Sequence, residues 1–158
     1  MVEAIFSGQK TQTRRIVSLQ PNERGLWPRG SAPGTYPADC TYGAAGDRLW
    51  VREAWARTTV GGDEWVVFRA QDNRTDYGGP WKPGIHLRRV DARLVLEITA
   101  IRVQRIQDIA YPRDVKAEGV EHTHDYMVLW DKLNAGRAPW MAWSANPWVW
   151  VIEFRRLP

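Results

Sequence analysis

Residues that could do chemistry are concentrated near the start of the chain, in Lys10-Thr11-Gln12-Thr13-Arg14-Arg15. A lysine ammonium, threonine hydroxyls and an arginine supply a potential base, nucleophile and anion clamp within six residues. Such a set suits acyl transfer. A threonine hydroxyl attacks poorly until a neighbouring base takes its proton, and a partly buried lysine with a lowered pKa can act as that base. A carboxylate from elsewhere would complete the set. The same six residues also read as a polar corner between a helix and a strand.

Other signatures are missing. The sequence has no glycine-rich phosphate loop and no Gly-x-Ser-x-Gly elbow. Its single cysteine, Cys40, rules out an internal disulfide and a paired-cysteine zinc cluster. His122-Thr123-His124 is the one histidine pair and would need a third ligand from elsewhere to hold a metal. No metal and no cofactor is therefore expected. Arg14, Arg15, Arg88, Arg89 and Arg93 read either as a phosphate-tracking groove or as the exposed face of strands.

The elements that must position these residues follow from spacing. Val2, Ile5 and Phe6 share a helical face and stop at Gly8, and residues 9–17 then alternate as a strand. Residues 18–46 form a long loop and residues 71–83 a polar insert, the kind of segment that often carries binding function. Residues 48–55 and 64–70 read as two strands joined in a hairpin across residues 60–63. Residues 85–89 read as extended, and residues 92–106 form a long β-rich run. Pro112 opens a helix stopped at Gly119, in the usual order of Pro at the start and Gly at the end. A further helix over 124–135 stops at Gly136, and residues 147–156 make a strong last strand. The expectation is one α+β domain over residues 1–158, with about five strands in a small closed or nearly closed barrel and short helices at its ends.

Composition agrees with a folded domain: 158 residues, 44% hydrophobic and 25% charged, are ordinary globular values. No apolar run approaches the roughly 20 residues of a membrane span, and the first residues lack a signal-peptide core, so a cytoplasmic location is expected. The net charge is +4, and all but four of its 22 cations are arginines, whose planar forks suit phosphates, carboxylates and base edges. Ten tryptophans could stack on bases but serve more often as core.

With these residues in view, Gly8-Gln9-Lys10-Thr11-Gln12-Thr13-Arg14-Arg15 resembles the Gly-x-Lys-x-x-Thr-x-Arg signature of the ASCH superfamily, whose β-barrel is similar to the PUA fold of RNA-binding proteins. Gly46-Asp47-Arg48-Leu49-Trp50-Val51 resembles the family's Gly-Asp-x-Leu-x-Val strand opening. Asp114-Val115-Lys116-Ala117-Glu118-Gly119 is similar to its acidic helix end, and residues 147–154 to its last strand. The likeness runs in order along nearly the whole chain and is nearest to the longer, Trp-rich ASCH proteins of phages and prophages. The family includes bacterial N(4)-acetylcytidine amidohydrolases, so the resemblance implies a metal-independent enzyme that splits the amide of an N(4)-acylated cytidine into cytidine and a carboxylic acid. It implies Lys10, Thr13 and Glu118 as the catalytic set, with Asp114 and Glu121 as neighbouring alternatives to Glu118. Arg15, Trp50 and Arg52 are the substrate-binding candidates, Trp50 by stacking on the base. The alternative from a different class is an RNA- or nucleotide-binding module, or an ASCH-type ribonuclease using Lys10, Arg15 and a tyrosine such as Tyr77. The long loop and the insert exceed those of the small amidohydrolases, so a different pocket mouth is expected.

Overall fold

A computed structural model describes residues 1–22, 27, 40–70, 80–109 and 112–158. The chain is a mixed α+β structure built on a curled antiparallel sheet with few, short helices. Helix α1 (Val2–Phe6) leads into strand β1 (Gln12–Ile16). Strands β2 (Arg48–Trp50), β3 (Trp55–Val60) and β4 (Asp63–Phe68) follow, then the long β5 (Val95–Arg105). Helices α2 (Pro112–Ala117) and α3 (Thr123–Asn134) precede the last strand, β6 (Trp148–Arg156).

Four strands pair in the order β1-β6-β5-β2, and β3 and β4 form a separate two-stranded ribbon. The expected hairpin is thereby corrected. The alternation over residues 48–55 spans two elements: β2 pairs with β5, Leu49 opposite Leu96, while Trp55 begins β3 and pairs with Phe68. Residues 51–54 between them are not in a strand. Of residues 85–89 only Leu87 and Arg88 are extended, since 3-10 turns occupy Gly84–His86 and Arg89–Asp91. The four-stranded sheet keeps β1 and β2 as its two outer strands. Its curl is helped by a register shift in β5 between Ile98 and Ala100, because an extra residue bends a strand and increases its local twist.

Central strand β6 explains how the core forms. Successive side chains point to opposite faces, and here both faces are apolar. Val149 and Val151 join Ile106, Ile109, Val115, Tyr126 and Trp130 beneath α2 and α3. Trp150 and Ile152 join Val17, Cys40 and Ile98 on the other face. Among the described residues no helix is long and apolar enough to cross a membrane. Residues 23–26 and 28–39 of the 18–46 loop, and residues 71–79 of the 71–83 insert, with Tyr77, lie outside the described residues.

Candidate active site

Two glycines bring the start of β1 onto the end of α2. Gly8 takes φ +74° after α1, and the next turn is tied back by the Lys10 amide donating to the Ala4 carbonyl at 2.7 Å. Gly119 ends α2 at φ +81°, a conformation that side chains other than glycine's resist. A Cβ on Gly119 would lie 3.2 Å from the Lys10 Cβ and 3.1 Å from that of Ala4, so the missing side chain is what lets the two segments approach. Two hydrogen bonds then fix the contact. The Thr11 amide donates to the Ala117 carbonyl at 2.9 Å, and Gln12 Nε2 donates to the Asp114 carbonyl at 2.8 Å.

Lys10 consequently reaches across the C-terminal end of α2. Its Nζ donates to Glu118 Oε2 and to the Glu118 carbonyl, each at 2.8 Å. Arg14, its side chain fully buried, donates from Nη1 to Glu118 Oε1 at 2.9 Å and from Nη2 to Asp114 Oδ2 at 3.3 Å. One buried carboxylate thus holds two buried cations. Charges removed from water survive only when paired and hydrogen-bonded, and all three side chains are so paired, with Arg14 Nε alone left without a partner among the described residues. Burial pulls the Lys10 ammonium below its ordinary pKa, the Glu118 charge opposes this, and Arg15 and Arg14 push the same way as burial. Tyr126, packed over this cluster from α3, has its phenol pushed well above the usual range by burial and by the Glu118 charge.

Of the three acids near the end of α2, Glu118 is therefore the one beside Lys10. Asp114 engages Arg14, and Glu121 accepts from Gln9 Nε2 at 3.3 Å. Arg14 sits otherwise than its sequence pattern suggests: it is neither groove nor exposed face but an internal clamp on Glu118. Among the other arginines of that group, Arg88 binds Asp91 and Arg93 binds Glu53.

Thr13 sits differently from the expectation. Cross-strand partners share a face, and Thr13 and Arg15 stand opposite Ile152 and Trp150, whereas Arg14 stands opposite Val151. Thr13 Oγ1 accepts from Arg15 Nη1 at 2.9 Å, and Lys10 Nζ donates to Glu118 instead of to Thr13. A cation donating to the hydroxyl oxygen stabilises the charge that oxygen gains on losing its proton. Thr13 and Glu118 nevertheless open onto the same cavity, of about 490 Å³, lined by consecutive residues of β1 and thus by both faces of that outer strand. Its far wall comes from α3 and the turn after it: Tyr126, Leu129, Trp130 and Leu133, then Trp140 and Met141. Trp130 is held in place by donating from Nε1 to the Met141 carbonyl at 2.9 Å.

Trp50 and Arg52 do not line this cavity. Strand β2 is the opposite outer strand of the sheet, where Trp50 packs against the cluster of Trp55, Phe68 and Leu87 and Arg52 lies over its ring at 4.6 Å. The exposed ring at the cavity is Trp140, whereas Trp130 is a core residue, only 4% exposed. The sequence showed Trp130 as an apolar residue of its helix, but helical spacing does not say which neighbour that face meets. Among the described residues no group of three or more His, Cys, Asp or Glu side chains is placed to hold a metal ion. Compared with family models, with curated proteins and with solved structures, the chain matches none.

Proposed function

We propose that this chain is an ASCH-type amidohydrolase of the cytoplasm that cleaves the exocyclic amide of N(4)-acylated cytidine or a related nucleoside. The observation that carries the reading is the buried Lys10–Glu118 ion pair at the wall of a cavity that Thr13 also lines. The ordered likeness of residues 8–15, 46–51 and 114–119 to the family's motifs supports it, as does an aromatic wall suited to a flat base.

On this reading the steps run in the following order. Thr13 Oγ1 attacks the acyl carbon, and its proton passes to Glu118 by way of water in the cavity that both residues line, because the Lys10 ammonium is already spent on that carboxylate. Arg15, donating to Thr13 Oγ1, stabilises the charge that develops there. The C–N(4) bond breaks as Glu118 returns the proton to the cytosine amine, leaving an ester on Thr13. Water then adds to that ester, its hydroxyl going to the released acid and its proton back to Thr13, so no oxidant or co-substrate is consumed. Lys10 and Arg14 keep Glu118 in place throughout.

The test is an absorbance assay of N(4)-acetylcytidine turnover without added metal. The parent turns over, Thr13→Ala loses about 100-fold or more, and Thr13→Ser keeps part of the rate. Parent-level turnover by Thr13→Ala moves the attack to a water molecule held by Glu118. A parent that does not turn over overturns the reading in favour of RNA binding, whose signature is affinity falling steeply with salt.

A further inference from the structure

The charges lining the cavity do not balance. Its described walls carry three arginines, Arg14, Arg15 and Arg137, against one carboxylate, Glu118, and that carboxylate is already bound by Arg14 and Lys10. Elsewhere on the molecule Arg57, Arg88, Arg93, Arg102 and Arg155 each face a carboxylate, while Arg48, Arg52, Arg69, Arg89, Arg105, Arg113 and Arg156 face none among the described residues. Arg15 uses one nitrogen, Nη1, on Thr13 Oγ1 and the Arg14 carbonyl, both neutral acceptors. Arg137, an exposed residue, makes no side-chain hydrogen bond or ion pair among the described residues. Its backbone is fixed, the amide donating to the Asn134 carbonyl at 3.0 Å just past the end of α3. Two guanidinium groups with free donors therefore face a space with apolar and aromatic walls, an arrangement that takes a flat apolar body with an anionic end.

We propose that the ligand of this cavity is a nucleoside monophosphate, its base against Trp140 and its phosphate on Arg137, with Arg15 adding to the positive charge. A guanidinium fork binds two phosphate oxygens at once, and a neutral nucleoside leaves that fork unused. The space, about 490 Å³, is of the size of small-molecule sites and does not call for a polymer. The inference rests on the amidohydrolase reading for the identity of the base, but the phosphate site is testable without any chemistry.

The experiment is titration calorimetry of the full chain with 5′-CMP, cytidine and a short cytidine oligonucleotide, beside turnover of N(4)-acetylcytidine and its 5′-monophosphate. The expected result is 5′-CMP binding at least about tenfold tighter than cytidine, the worth of one charge-assisted contact. That ratio falls towards one in Arg137→Ala, recovers in part in Arg137→Lys, and is kept in Arg88→Ala. Equal binding of 5′-CMP and cytidine, or no binding of either, overturns the phosphate site. Turnover of both acetylated compounds at equal kcat/KM overturns it too, while leaving the amide chemistry standing. A preference for 5′-CMP without turnover of either acetylated compound supports the phosphate site and overturns the amide chemistry. Oligonucleotide binding tighter than that of 5′-CMP overturns the mononucleotide assignment in favour of a nucleic-acid strand.

Discussion

Glu118 carries the charge balance of the site at the scale of single residues. Its two oxygens each take a buried cation, Lys10 on one and Arg14 on the other, so removing its charge leaves Lys10 without a carboxylate and Arg14 with Asp114 alone. Breaking a buried pair by deleting one partner costs about 3–5 kcal/mol, because the remaining charge is left without compensation in a poorly solvated place. Glu118→Gln is expected to lose that much in urea unfolding. Lys10→Met should lose less, since Glu118 keeps Arg14. A double substitution of Lys10 and Glu118 should cost less than the two single losses added, the mark of a coupled pair. Lys10 and Glu118 were legible from the motif and from Gly119 beside the acid. Arg14 was not, because an arginine doublet in a strand looks the same whether it faces water or a buried carboxylate. Only the position of α2 decides it.

Among elements, the contact between the end of α2 and the start of β1 rests on the absence of one side chain. Gly119→Ala is expected to cost about 1–2 kcal/mol for the left-handed backbone alone. It also presses a methyl group against Ala4 and Lys10, so turnover should fall along with the thermal midpoint. Gly136→Ala is the control. A Cβ there meets nothing within 4 Å and its φ is not positive, so the substitution should leave the midpoint unchanged or raise it. The elements around the contact could be read in advance because each carries its own punctuation. Pro112 and Gly119 bound α2, and the unbroken β-rich runs around β5 and β6 fix the centre of the sheet. Strand pairing could not be read the same way. The alternation over residues 48–55 has no sign of the interruption at 51–54, and the partner of β2 is β5, more than forty residues further along the chain. Trp50 is a stacking candidate through the resemblance, and its place on the far outer strand follows from a pairing that periodicity does not specify.

For the molecule as a whole, buried groups that must stay neutral set the response to alkali. Tyr126 joins α3 to the sheet within the core, and burial with the Glu118 charge raises its pKa above the ordinary value of 10.0. Burial likewise raises that of Cys40, in the core on the other face, above 9.0. In both cases the unfolded chain releases its proton first. The stability each group lends is complete below its unfolded value and is lost as pH climbs past it, first through Cys40 above 9 and then through Tyr126 above 10. Lys10 acts in the opposite sense, since its lowered pKa means that the unfolded chain holds the proton longer and stability is regained as pH rises through the folded value. The contributions separate by substitution. Each released proton is worth about 1.4 kcal/mol per pH unit, so unfolding free energy of the parent should gain an extra downward slope of that size above pH 10. Tyr126→Phe keeps the ring that fills the core and removes the proton, so its stability curve should lack that added slope while keeping the earlier fall from Cys40. A variant curve parallel to that of the parent above pH 10 would mean that the Tyr126 phenol ionises as freely in the folded protein as in the unfolded chain, and that α3 does not seal the Glu118 cluster from water.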